Sequence, residues 1–335
     1  MVFQDYFQNI FSAKDPLTDI LGKEDVKNQV KSALIMNRNI VLVGPAGVGK
    51  TTLAKNVSRL LPEITVNDCG FSCDPKQPVC PVCRKGKAKT TRMAGADRFI
   101  RIQGSPDLTA EDLIGDIDPI KAMKFGPLSP EAFTPGKIFK ANQGILFFDE
   151  VNRCPEKLQN SLLQVLEEGK ATVGSYDFDL PANFIFIGTM NPDDSSTEKL
   201  SDIFLDRVDT ITMGYPETDA IEQEIVRHKA KWLNVGFPDD LFSLAIGFVR
   251  VIRESKDLEK KPSVRASIGL VELAQANAIL AKRKTVTHED IGKAINSVLG
   301  HRIRLKPNVQ YLKTPDEFVA EEFRRYETTK MGGDR

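Results

Sequence analysis

Gly44-Pro45-Ala46-Gly47-Val48-Gly49-Lys50-Thr51 places three glycines, a lysine and a hydroxyl in one unbroken run. Such a run curls so that backbone N–H groups point inward around phosphate. Lys50 can bridge the outer phosphates and Thr51 can ligate Mg²⁺. Thr52 follows at the start of a helix whose positive end faces the same anion. Gly44 to Thr52 is therefore a candidate ATP-binding segment. A second constellation is Ile145-Leu146-Phe147-Phe148-Asp149-Glu150, an apolar strand that ends in two carboxylates. Asp149 there suits the Mg²⁺ shell, and Glu150 can polarise a water toward the γ-phosphate. A third is Cys69, Cys73, Cys80 and Cys83, four of the five cysteines, within one short loop. Four thiolates can enclose a tetrahedral ion, with Pro75, Pro78 and Pro81 stiffening the loop between them. Zinc, an iron–sulfur cluster, and disulfides or free thiols all remain open for this cluster. A Cys₄ zinc site carries net negative charge, which Arg84, Lys85, Lys87, Lys89 and Arg92 could offset.

These groups need a scaffold. Asn39–Val43 is a continuous β-branched run entering the glycine turn, as expected of a strand buried on both faces. Similar strands are expected at Phe99–Gln103, Gly144–Phe148, Phe184–Thr189 and Val208–Met213, with helices between them. Leu53, Val57 and Leu60 mark a helix over Lys50–Leu61, and Leu158, Leu162, Leu163 and Leu166 mark one over Pro155–Glu168. Strand signals stop after Pro216. Four helices are expected over Ile221–Trp232, Asp239–Glu254, Ala266–Lys282 and His288–Val298. The fold class is α/β: a three-layer P-loop domain with a parallel sheet over 1–215, then a smaller all-helical domain over 216–305. Residues 306–335 read as a polar tail.

Lys plus Arg and Asp plus Glu balance at 46 each, so no net field steers the chain to nucleic acid or an anionic membrane. A nucleic-acid grip by the basic run after Cys83 is the weaker reading of a solvated loop. No apolar run approaches a membrane span, and the start lacks a signal peptide's layout, so the expected compartment is the cytosol. Cys154 stands apart and reads as a small packing residue.

From about Pro16 to Ile303 the chain resembles AAA+ ATPases, and within them the MoxR and magnesium-chelatase ATPase-subunit group, on its archaeal chelatase-like branch. Gly136 to Arg153, Pro262–Leu273 and Leu299–Ile303 carry that likeness. The resemblance implies a hexameric ring hydrolysing ATP to remodel or activate a protein client, often with a von Willebrand A domain partner. The alternatives are a motor subunit that inserts magnesium or cobalt into a tetrapyrrole, and a nucleic-acid remodeller. It implies that Asn191 is sensor 1 between nucleotide and Glu150, that Arg207 is an arginine finger for a neighbouring subunit, and that Arg265 is sensor 2 opening a lid helix. Ile20 and Leu21 resemble the segment covering the adenine, and Arg153 is open between a further inter-subunit contact and a surface charge. A helix-2 insert at about 104–140 and a hairpin at 170–181 resemble the pore-facing elements of one superclade. The Cys-rich loop spans 67–95.

Overall fold

Five short apolar runs form one parallel sheet: β1 (Ile40–Val43), β2 (Phe99–Gln103), β3 (Ile145–Asp149), β4 (Ile185–Met190) and β5 (Asp209–Thr212), in the order β5-β1-β4-β3-β2. The structure, a computed structural model, describes residues 3–12, 15–86, 88–172, 179–192 and 200–331. Successive residues of a strand point to opposite faces. Ile145, Leu146, Phe147 and Phe148 are all buried, so both faces of the sheet are covered and the core has three layers. All five expected strands are present, each within a residue or so of its expected ends.

Helix α1 (Lys50–Leu60) leaves the glycine turn and buries Leu53, Ala54 and Val57. Helix α2 (Glu156–Glu168) follows Pro155 and stops at Gly169, whose N–H donates to the Val165 carbonyl. It buries Leu158, Leu162, Leu163 and Val165, while Leu166 is only partly buried.

The chain divides into two units. The first comprises residues 1–20, 24–44 and 49–213; the second comprises 21–23, 45–48 and 214–335. The second unit holds α3 (Asp219–Lys229), α4 (Asp239–Glu254), α5 (Val264–Leu280), α6 (His288–Leu299) and α7 (Pro315–Met331). A minimal ribbon, Leu258–Lys260 against Arg304–Leu305, accompanies these helices. The segment expected to be a polar tail carries α7, which buries Phe318, Val319 and Phe323 and sets Phe323 edge-on to Phe248 at 4.9 Å.

The insert is built from a strand pair, Gly115–Ile117 with Phe133–Pro135, with the helix Pro119–Phe125 between its strands. Ile120, Met123 and Leu128 at its outer end are 75–90% exposed. Lys170–Thr172 and Asp179–Pro181 pair antiparallel, as the hairpin reading requires; its Gly174-Ser175 turn lies outside the described residues. No helix among the described residues is long and apolar enough to cross a membrane.

Candidate active site

Parallel strands bring their carboxyl ends to one edge, and three neighbouring strands here each end in a chemical group. β1 runs into Gly44, β4 into Asn191 and β3 into Asp149-Glu150. Val43 is level with Met190, and the Gly44 N–H donates to the Met190 carbonyl at 3.1 Å, which places Asn191 beside the glycine turn. Gly49 caps α1 in the left-handed region (φ 105°), and Lys50 Nζ donates to the Gly44 carbonyl at 2.5 Å. Pro45–Val48 group with the second unit. A Cβ at Gly47 (φ 77°) would lie 2.7 Å from Ser263 Oγ and 3.3 Å from Arg265 Cγ, so only glycine suits that position. Arg265 thus stands in the first turn of α5, beside Gly47 of the same unit. Ile20 is buried, and its Cδ1 would lie 3.8 Å from a Cβ at Gly49.

The two carboxylates are braced by side chains that sequence reasoning missed. Thr189 Oγ1, fully buried on β4, donates to Asp149 Oδ1 at 2.7 Å and accepts from the Glu150 N–H at 2.9 Å. Arg101 Nη2 donates to Asp149 Oδ2 at 2.5 Å, and Gln103 Nε2 donates to Glu150 Oε2 at 3.0 Å. Arg153 adds an ion pair to Glu150 Oε2 at 3.3 Å. The available signal was Arg101 and Gln103 at i and i+2 on an otherwise apolar strand, hence on one face; the structure sets Gln103 level with Asp149 at the end of β3. Glu150 itself has φ 56° and ψ 53°, a left-handed conformation that costs a non-glycine residue on the order of 1–3 kcal/mol and tends to occur at functional sites. Gly104 accommodates this turn: a Cβ there would lie 2.0 Å from the Glu150 carbonyl oxygen.

Arg207 lies elsewhere. It precedes β5, and Asp209 is level with Ile40, so it sits at the amino edge of the sheet. The four residues of β1 separate that edge from the glycine turn by roughly 13 Å of strand rise. Its guanidinium pairs with Glu167 Oε1 at 3.1 Å and donates to the Ile203 carbonyl.

The four clustered sulfurs lie within 4.8 Å of one another, and none forms a disulfide. Hydrogen bonds from Cys73 and Cys80 draw the Cys69 thiol well below its ordinary range. Cys80 is pushed up to about 11 by its bond with Cys69, and Cys83 to about 11 by burial. Two of the basic side chains expected to balance this site are otherwise engaged, Lys85 with Glu131 and Arg92 with Glu63.

Residues 81–209 match the model of the "ATPase family associated with various cellular activities (AAA)", residues 253–322 an AAA lid domain, and residues 16–73 magnesium chelatase subunit ChlI. The chain is an AAA+ ATPase. This AAA+ ATPase is 28% identical to a magnesium-chelatase subunit ChlI homolog of Methanocaldococcus jannaschii, with 87% of this chain and 86% of the relative covered. It is 29% identical to a chloroplastic ChlI-2 of Arabidopsis thaliana (87% and 76% covered). Its fold is similar to that in a reconstruction of the BchI–BchD complex of magnesium chelatase, with TM-score 0.51, 21% identity, and 89% and 98% covered. A RuvB mutant of Thermotoga maritima gives TM-score 0.51 at 16% identity, with 86% and 73% covered.

Proposed function

We propose that this ATPase is the motor of a chelatase-like machine, a ring of six copies in which ATP turnover does work on a partner subunit. The observation that carries the reading is the division of labour across the sheet: phosphate loop and braced carboxylates at one edge, Arg207 at the other. In this reading Gly44–Thr52 hold the phosphates, Thr51 and Asp149 serve Mg²⁺, and Glu150 is the general base for water. Asn191 senses the γ-phosphate and Arg265 reports its loss to the lid domain, residues 216–305. Ile20 and Leu21 cover the adenine. Arg207 completes a neighbour's site, because its position on the sheet puts its own phosphate loop out of reach. An arginine so used contributes roughly 10³–10⁵ in rate in other phosphoryl-transfer systems. The Cys₄ cluster holds zinc.

Chelatase-type work, insertion of magnesium or cobalt into a tetrapyrrole, draws support from relatives matched along most of their length. A second reading, MoxR-like remodelling of a protein client with a von Willebrand A partner, is favoured by the exposed Ile120, Met123 and Leu128 on the insert. Nucleic-acid remodelling is weaker, since Lys85 and Arg92 are already paired with acids.

The test is a Glu150→Gln protein, which should bind ATP and assemble yet turn over poorly. Wild-type turnover would remove Glu150 from the general-base role. Partners captured on that trap are then recombined with the wild-type ATPase. ATP-dependent uptake of a divalent ion by a tetrapyrrole establishes the chelatase reading, whereas ATP-dependent release of a bound protein without metal insertion replaces it with remodelling.

A further inference from the structure

The cysteine loop joins two paired strands, Ile64–Asn67 and Thr90–Met93, and is longer than a hairpin needs. Its apolar content is meagre: Phe71, Val79, Val82 and Ala88, of which Val82 is exposed. Such a segment has little to hold it except its sulfurs. Cys73, Cys80 and Cys83 are buried and Cys69 is half-buried. A tetrahedral ion with metal–sulfur bonds of about 2.3 Å separates its sulfurs by about 3.8 Å. The four sulfurs, all within 4.8 Å of one another, are no more than about 1 Å wider than that spacing. Backbone N–H groups already face the sulfurs, Cys80 N–H donating to Cys73 Sγ at 3.4 Å and Cys83 N–H to Cys80 Sγ at 3.3 Å. Such donors around a ligand set orient it and moderate its charge.

The residues flanked by Cys69 and Cys73 make the loop's outward contacts. The Phe71 carbonyl accepts from Asn142 Nδ2 at 3.0 Å, and the Ser72 carbonyl accepts from Gln143 Nε2 at 2.8 Å. The Phe71 ring packs on Phe133 and Phe139, at 6.2 Å and 5.5 Å between centroids, and Gly70 abuts Pro135. Beyond Cys83, Lys85 Nζ bonds Glu131 Oε1 at 2.6 Å and, with Ser129, brings that carboxyl down to about 2. Phe133 and Pro135 form the base of the insert. Asn142 and Gln143 form the turn that enters β3, the strand carrying Asp149 and Glu150.

Resting on the zinc reading above, we propose that the Cys₄ ion works as a fastener. By fixing Cys69 and Cys73 it sets Phe71 and Ser72, which hold the base of the insert against the turn that enters β3. A conformational change at either place is thereby transmitted to the other through an ion-dependent joint. Without the ion the contacts at Phe71 and Ser72 lose their support. The insert then moves independently of the hydrolytic strand, although neither belongs to the metal site.

Full-length protein purified without chelators should carry one zinc per chain by elemental analysis. Iron with acid-labile sulfide, or no metal at all, overturns the zinc reading and the fastener with it. On loaded and chelator-stripped protein, hydrogen exchange should accelerate about tenfold or more over 110–143 on stripping, with α1 little changed, and zinc should restore protection. If zinc is present and its removal leaves exchange over 110–143 unchanged, the fastener is wrong while the zinc site stands. Equal acceleration everywhere also rejects it, since the ion would then be a general stabiliser. Because a cysteine variant could fail to fold, Phe71→Leu provides a second test with all four thiols intact. It should retain one zinc yet show faster exchange over 110–135 in the loaded state. Parental protection there would reject the route through Phe71.

Discussion

Arg253→Met removes the centre of a buried ion cluster in the helical unit. Glu222 on α3 is fully buried, and Arg253 on α4 grips both its oxygens, at 2.7 and 2.9 Å. Ser267 Oγ donates to Glu222 at 2.6 Å, and Arg250 reaches it at 3.1 Å. Arg253 also donates from Nε to the Pro262 carbonyl at 2.9 Å, three residues before Arg265. Burial alone would raise the Glu222 pKa, yet Arg253 chiefly, with Ser267 and Arg250, holds it below the ordinary carboxylate range. Methionine replaces the aliphatic stem but leaves the carboxylate short of its counter-charge. Breaking a buried pair from one side costs about 3–5 kcal/mol, and the surviving Arg250 and Ser267 contacts favour the lower end, about 3 kcal/mol. For a unit of this size that lowers the melting temperature by about 10 °C. The pH dependence distinguishes this cause from lost packing. In the parent the depressed pKa confers stability above the ordinary carboxylate pKa, lost as pH falls through the folded value. In the variant the folded pKa rises, so protonation relieves the unpaired charge. The two melting curves should converge on acidification, as read by scanning calorimetry from neutral pH to about pH 4. Adding Glu222→Gln should recover part of the loss at neutral pH. A deficit constant across that range, or below about 1 kcal/mol at neutral pH, would refute the reasoning.

Gln103→Leu removes an exposed charge-assisted donor to Glu150, worth about 1.5 kcal/mol at the low end of such bonds, so basal turnover should rise by about tenfold with ATP affinity unchanged. A fall in kcat would show that Gln103 orients the carboxylate rather than restraining it. Lys50→Ala should weaken ATP binding itself, unlike Glu150→Gln, in an equilibrium nucleotide titration. Mixing Arg207→Ala with Lys50→Ala subunits, with exchange verified by labelled chains, should recover ATPase activity that neither has alone. Full activity of Arg207→Ala by itself would reject the finger.

The sheet was legible because a strand buried on both faces leaves an unbroken apolar run, and each of the five runs carried its own punctuation. The glycine turn after β1 and the Asp149-Glu150 end of β3 were legible as strand-end features because each is contiguous in sequence. Thr189, Arg101 and Gln103 were not, because their roles depend on register between strands far apart in sequence. Within a strand read as buried, a threonine or an arginine looks like an ordinary interruption. Helix α7 was missed for a different reason. Phe318, Val319 and Phe323 form a sparse stripe among charged neighbours, and the helix is stabilised by packing on Phe248 rather than by its own pattern. The arrangement of the insert was equally hidden, since two three-residue strands carry almost no periodicity.

The placement of Arg207 has an arithmetical consequence. A contact that joins the carboxyl edge of one sheet to the amino edge of the next is heterologous, so each chain is a donor on one side and an acceptor on the other. With Arg207 serving the neighbour, an open row always ends in one pocket that lacks a finger and one finger that lacks a pocket. Two chains make one working site, three make two, and only closure makes the count of sites equal the count of chains. Turnover per chain should therefore climb with concentration even after every pocket is filled with ATP. Lys50→Ala chains mixed in should depress it only in proportion to their share, because each removes its own pocket while still closing the ring and lending its finger to the next chain.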